Sequence, residues 1–197
     1  MPSILFHELV GYKIASKYKK YDTNNFYLGL MVPDSVNAYG FASKENRWRT
    51  HVRDENLKVW QENILNFYRE NQGKYEESYL TGYLVHVLTD IFCDEIYQEK
   101  LYPMLVEKGL DYHTAYVYYV EGIDKFENSN IDKPWWKEVK EKFTKAEVEP
   151  ICGMGEKMIL DEVNYTLNKY SMRKFEKCGF IGEEFVDVVV KKIEDII

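Results

Sequence analysis

Four histidines occur in this 197-residue chain, and three of them fall into a pattern that could do chemistry. His86 and Asp90 lie four positions apart in the most apolar stretch of the sequence. On a helix they leave the same face one turn apart, as two ligands of one ion require. An ionised aspartate in such surroundings is costly alone, whereas a carboxylate and a neutral imidazole on a divalent cation form a stable arrangement. A hydrogen-bonded His–Asp pair inside a helical core would satisfy the same spacing. His7 in the first apolar segment, Asp34 after Pro33, and His51 at the head of His51-Val52-Arg53-Asp54 extend the set. Each has an ordinary alternative: a surface helix position for His7, a turn or helix cap for Asp34, an exposed loop for His51. Nitrogen and oxygen donors of this kind suit zinc, and also manganese, iron or nickel.

The elements that must position these residues read as helices. Residues 4–19 and 54–71 have amphipathic periodicity, with Asp54 as the expected cap of the second. Residues 78–98 are apolar on more than half of the helical circumference, which places them at the centre and makes their few polar residues the informative ones. Further helices are expected at 99–107, 111–127, 134–143, 144–170 with a break near 150–155, and 180–196 after Gly179 and Gly182. Strand signals are weak. Residues 32–53 contain Pro33, Asp34, Asn37, Gly40 and Ser43 and read as a long irregular connection. Loops of about 12–15 residues or more inside a compact domain tend to be functional.

Composition narrows the function classes. With 26 Lys+Arg against 33 Asp+Glu the net charge is −7, so no basic field favours nucleic acid or anionic lipid. No window approaches eighteen consecutive apolar residues, which excludes a membrane-spanning helix. The first twenty residues read as a helix with interspersed His7, Glu8, Lys13 and Lys17 rather than a leader, so a cytoplasmic location is expected. Cys93, Cys152 and Cys178 are odd in number and form no Cys-x-x-Cys pair, which fits reduced thiols and argues against a cysteine zinc site.

Longer motifs carry a resemblance. Met1-Pro2-Ser3 with His7 and Lys13-Ile14-Ala15, Phe26-Tyr27-Leu28-Gly29 leading to Pro33-Asp34, then His51, and the stretch Leu80-Thr81-Gly82-Tyr83-Leu84-Val85-His86-Val87-Leu88-Thr89-Asp90 follow one another in order. In that order the chain resembles the zinc-dependent phospholipase C family and its smaller bacterial relatives, over about residues 1–97, with a shorter match at Gly122-Ile123-Asp124-Lys125-Phe126. The resemblance implies an all-α fold in which His51, His86 and Asp90 hold the principal zinc. It also implies Asp34 as a fourth ligand or the base that orients water, His7 as ligand of a second ion, and Asp90 as a bridge. The reaction implied is hydrolysis of a phosphodiester or phosphomonoester, since clustered divalent ions acidify water and neutralise phosphoryl charge. Secreted members complete a three-metal cluster with a processed amine and a further His, His, Glu set. Here only His113 is left, which points to one or two ions.

Other candidates are weaker. Glu121, Asp124 and His113 share one expected helix, and Asp124 is favoured by the local match, although solvated positions are the ordinary reading of His113 and Glu121. Arg47, Arg49 and Arg53 flank His51 and could receive phosphate oxygens. Cys93 falls on the face of His86, where a small buried hydrophobe is the commoner role of cysteine. The tyrosines around residues 75–97 and 112–119 could line a cleft or pack a core, and Trp135-Trp136 reads as a packing pair at a helix start.

The expectation is therefore one all-α helical domain over residues 1–197, with the metal-site part at 1–127 and a C-terminal helical part at 128–197 that carries no chemistry. A zinc-dependent phosphoesterase acting on a small phosphoester is the leading reading. A non-catalytic metal-binding protein and a nuclease of the same superfamily are the rivals, the second disfavoured by charge.

Overall fold

A helix that is apolar around most of its circumference has to be surrounded, and the rest of the chain does this for Glu77–Ile96. The computed structural model describes residues 2–171 and 181–197. Its α-helices are α1 (Ile4–Lys17), α2 (Asn24–Gly29), α3 (Lys44–Thr50), α4 (Leu57–Asn71), α5 (Glu77–Ile96), α6 (Tyr102–Glu107), α7 (Tyr112–Asn128), α8 (Pro134–Phe143), α9 (Glu156–Ser171) and α10 (Glu183–Glu194). Among the described residues there is no strand, only two isolated bridges, Gln72 with Tyr75 and Ile151 with Met154. The protein is all-α, as expected.

Every residue of α5 from Ser78 to Cys93 is buried. Helices α1, α2, α4 and α10 pack around it, α8 covers α1 and α2, and α9 lies on a 3-10 helix at Val32–Asn37. The tightest crossing is that of α2 over α5. A Cβ on Gly82 would stand 2.1 Å from the Phe26 carbonyl oxygen, and one on Gly29 would stand 2.2 Å from that of Tyr79. Only glycine on both helices lets these backbones touch. That contact brings the chain after α2, with Leu30 and Asp34, alongside the His86 turn of α5.

Several local expectations are corrected. Helix α1 is not simply amphipathic: every residue from Ile4 to Gly11 is buried, because α5, α8 and α10 cover it from different sides. The cap of α4 is Asn56, whose Oδ1 accepts from Lys58 N and Val59 N, while Asp54 accepts from Asn56 N in the preceding turn. Residues 32–53 are not an irregular loop, since they contain the 3-10 helix and α3, the latter capped by Ser43. Residues 145–155 are not helical; they run through the bridge at Ile151 and a left-handed Cys152–Gly153 turn. Gly179 and Cys178 lie outside the described residues. Trp135 and Trp136 are buried as a packing pair against Tyr12, Phe143 and Tyr170. No helix among the described residues is long and apolar enough to cross a membrane.

Candidate metal centre

His7, Asp34, His51, His86 and Asp90 come from four separate elements and meet in one place. His86 and Asp90 project from α5, His7 from α1, Asp34 from the 3-10 helix, and His51 caps the C-terminus of α3. Asp90 is the hub. One oxygen lies 3.5 Å from His7 Nε2, and the other lies 3.5 Å from His51 Nε2 and 4.0 Å from His86 Nε2. Asp34 faces it, 3.4 Å from His51 Nε2 and 4.0 Å from His86 Nε2. The His7 ring stacks on that of His86 with centroids 3.7 Å apart.

The hydrogen bonds fix the tautomers. His86 Nδ1 lies 2.6 Å from the Leu30 carbonyl oxygen, and His51 Nδ1 lies 2.8 Å from that of Arg47. A carbonyl oxygen only accepts, so both Nδ1 atoms carry hydrogen. In neutral rings both Nε2 atoms are then bare lone pairs, yet they face each other at 3.3 Å. Two acceptors at that distance repel unless a proton or a metal cation stands between them. The other polar atoms say the same: both oxygens of Asp90, Oδ1 of Asp34 and both ring nitrogens of His7 are buried without a hydrogen-bond partner among the described residues. So many orphaned polar atoms in one place contradict the usual satisfaction of buried polar groups. They fit the donor set of a divalent metal ion, whose imidazole ligands are held by hydrogen bonds on their far nitrogens. Two overlapping groups have ligand atoms close enough to hold an ion: His7, Asp34 and His86, and His51, His86 and Asp90.

Electrostatics follow from burial and proximity. Burial, reinforced by the neighbouring rings, holds His7 well below the usual histidine value. Burial outweighs the charge of Asp34 at His86 and lowers it to about 4. At Asp90 burial and the charge of Asp34 outweigh the pull of His51 and raise the carboxyl to about 7. Burial also opposes ionisation of Asp34, but the close His51 ring and the charges of His86 and His7 take its carboxyl well below the usual range. Burial opposes the charging of His51 too, yet Asp34 and Asp90 carry it above the ordinary value. Without an ion, a proton on His51 Nε2 thus stands where the lone pairs converge.

The turn that presents His51 is strained and firmly held. Val52 has φ +45°, a conformation that costs a β-branched residue on the order of 1–3 kcal/mol. Three successive carbonyls are each taken by a side chain: Thr50 by Tyr83 Oη, His51 by Trp60 Nε1 at 2.8 Å, and Val52 by Asn63 Nδ2 at 3.3 Å. Tyr79 and Tyr83 are core residues with bonded hydroxyls, not cleft walls.

Not every candidate joins the centre. His113 and Glu121 are exposed, Asp124 is half-buried farther along the same helix α7, and none of the three belongs to a potential ligand group among the described residues. Arg53 is committed elsewhere: its Nη2 donates to Asp94 at 2.7 Å and its guanidinium lies over Trp60. With Trp48 and Arg49 it lines an open groove of about 530 Å³ on the α3–α4 side. Cys93 is a buried thiol, pushed well up by burial.

One functional candidate escapes sequence reasoning. Glu162 of α9 is 5% exposed, and burial together with the charge of Asp34 raises its carboxyl to about 7. Its signal is a carboxylate on the buried stripe Ile159, Val163, Thr166 and Tyr170, so the C-terminal part does bring an acidic group towards the centre. Comparison of the chain with family models, curated proteins and solved structures gives no match.

Proposed function

We propose that the protein is a metal-dependent phosphoesterase, with zinc as the ion and a small phosphoester as substrate. The observation that carries this reading is the convergence of three imidazole nitrogens and two carboxylates with no hydrogen to share among most of them. His51, His86 and Asp90 would hold one ion, and His7 with Asp34 would contribute to a second. Bound divalent ions supply Lewis acidity, which makes water nucleophilic near neutral pH and neutralises charge on a phosphoryl group. The chain's own part is positioning. Leu30 and Arg47 hold the rings of His86 and His51, Asp90 balances charge in the interior, and Asp34 faces outward enough to accept a proton from water. The motif order from His7 to Asp90, which resembles zinc-dependent phospholipase C, supports the reaction class. The acidic chain favours a small substrate over a polynucleotide.

The test is elemental analysis of protein purified without chelator, followed by assay on bis(p-nitrophenyl) phosphate. One to two equivalents of zinc are expected in the wild type, with loss in His86→Ala and His51→Ala. Asp34→Asn should keep the fold and most of the metal but lose at least about a hundredfold in turnover, as expected for removal of a general base. Turnover that persists in Asp34→Asn treated with EDTA overturns the enzyme reading, and metal without any turnover leaves a metal-binding protein.

A further inference from the structure

We propose that Glu162 is a specificity-determining residue that makes the centre favour singly charged phosphodiesters over doubly charged phosphomonoesters, an inference that rests on the phosphoesterase reading above. Of the five side chains of the centre, that of Asp34 is the most exposed. The Asp34 side chain is 12% exposed, whereas those of His7, His86 and Asp90 are at 0% and that of His51 at 1%. Helix α9 packs on the 3-10 helix that carries Asp34, and Glu162 is on the inward face of α9. Thr166 Oγ1 donates a long hydrogen bond of 3.5 Å to one oxygen of Glu162. No salt bridge to Glu162 forms among the described residues, although Lys169 on the same helix offsets part of its charge. A carboxylate therefore lies on the covered face of α9 next to the 3-10 helix, close enough to feel the charge of Asp34.

A phosphoryl group that reaches the centre past Asp34 meets this second negative charge. A diester brings one charge and a monoester two, so the repulsion rises with the additional charge. Across several ångströms of poorly screened protein, one extra like-charge contact is worth about tenfold in affinity. Glutamine keeps the shape and removes the charge, and aspartate keeps the charge.

The experiment compares two stable ligands of the same size at pH 8.5, where Glu162 is ionised: phenylphosphonate, a dianion, and methyl(phenyl)phosphinate, a monoanion. Calorimetric titration of zinc-loaded protein gives the affinity ratio, and elemental analysis gives the metal content. Glu162→Gln should tighten the phosphinate about tenfold and phenylphosphonate about a hundredfold, so that their affinity ratio shifts about tenfold, with metal content unchanged. Glu162→Asp should keep the wild-type ratio. An unchanged ratio in a folded, metal-loaded Glu162→Gln variant overturns the proposal and leaves the phosphoesterase reading standing. Loss of one metal equivalent in that variant also overturns it, by making Glu162 a ligand. A wild-type protein that takes up no zinc overturns both.

Discussion

Adjacent residues of α1 face two different interiors. His7 turns into the five-residue centre, and Glu8, the next residue, is buried within electrostatic reach of Tyr27. Glu8 and Asp90 look alike by the usual signs: each is fully buried, and each has two oxygens without a hydrogen-bond partner. At Glu8 burial alone acts, and it pushes the carboxyl well above its usual value. At Asp90 the charge of His51 works against burial, and imidazole lone pairs converge on the same volume. The difference teaches that an orphaned buried carboxyl marks no site by itself. What marks one is a set of acceptors, fixed by bonds on their far sides, that together lack a hydrogen.

Removal of metal should break the comparison most visibly. Zinc at about a thousand times its dissociation constant adds about 4 kcal/mol to stability, and for a chain of this size that is roughly 10 °C in Tm. Thermal unfolding with and without EDTA should show this loss in wild type and in Glu8→Gln alike, with none in His86→Ala.

A smaller effect should reverse its sign at Asp90. In metal-free protein the folded carboxyl titrates at about 7, above its unfolded value near 4. The stability linked to it is therefore fully present below the unfolded value and lost as pH rises through 7. Metal-free Asp90→Asn should melt higher than wild type at pH 8, by several degrees, and equally at pH 4. With zinc present the order should invert, because a ligand is gone. Melting curves at both pH values decide it, and an Asp90→Asn variant that is less stable in both metal states would make Asp90 a purely structural acid.

Glu8→Gln should give the smallest change. The folded Glu8 carboxyl also lies above its unfolded value, so the variant should gain a few degrees in Tm at pH 8, on the order of 1 kcal/mol, and nothing near pH 4. The gain should be the same with and without zinc. A gain that depends on zinc would join Glu8 to the centre and erase the contrast.

Much of the centre was legible in the sequence because helical spacing encodes it. His86 and Asp90 four apart on an apolar helix state their own geometry, whereas the crossing at Gly82 that brings Leu30 and Asp34 to them shows only in the fold. Helix α5 itself followed from its apolar circumference. Other parts depend on contacts that no local pattern records. The carbonyls of Leu30 and Arg47 fix the tautomers, but a backbone oxygen has no side-chain signature. Glu162 is one of 33 acidic residues, and its importance appears only when α9 lies on the 3-10 helix. Helix α3 was hidden by the turn-forming residues around it, and Asn56 took the cap from Asp54 because it stands directly before the first helical residue.

The spread of the centre along the chain has a kinetic consequence. Its residues run from position 7 to position 90, and they meet only after α1, the 3-10 helix and the end of α3 have docked on α5. Contacts so distant in sequence form late, after their loop-closure entropy has been overcome. An ion that needs the docked arrangement arrives too late to guide the chain to it. A bound ion would act as a latch on the finished fold, lengthening the native lifetime and leaving the rate of refolding nearly unchanged.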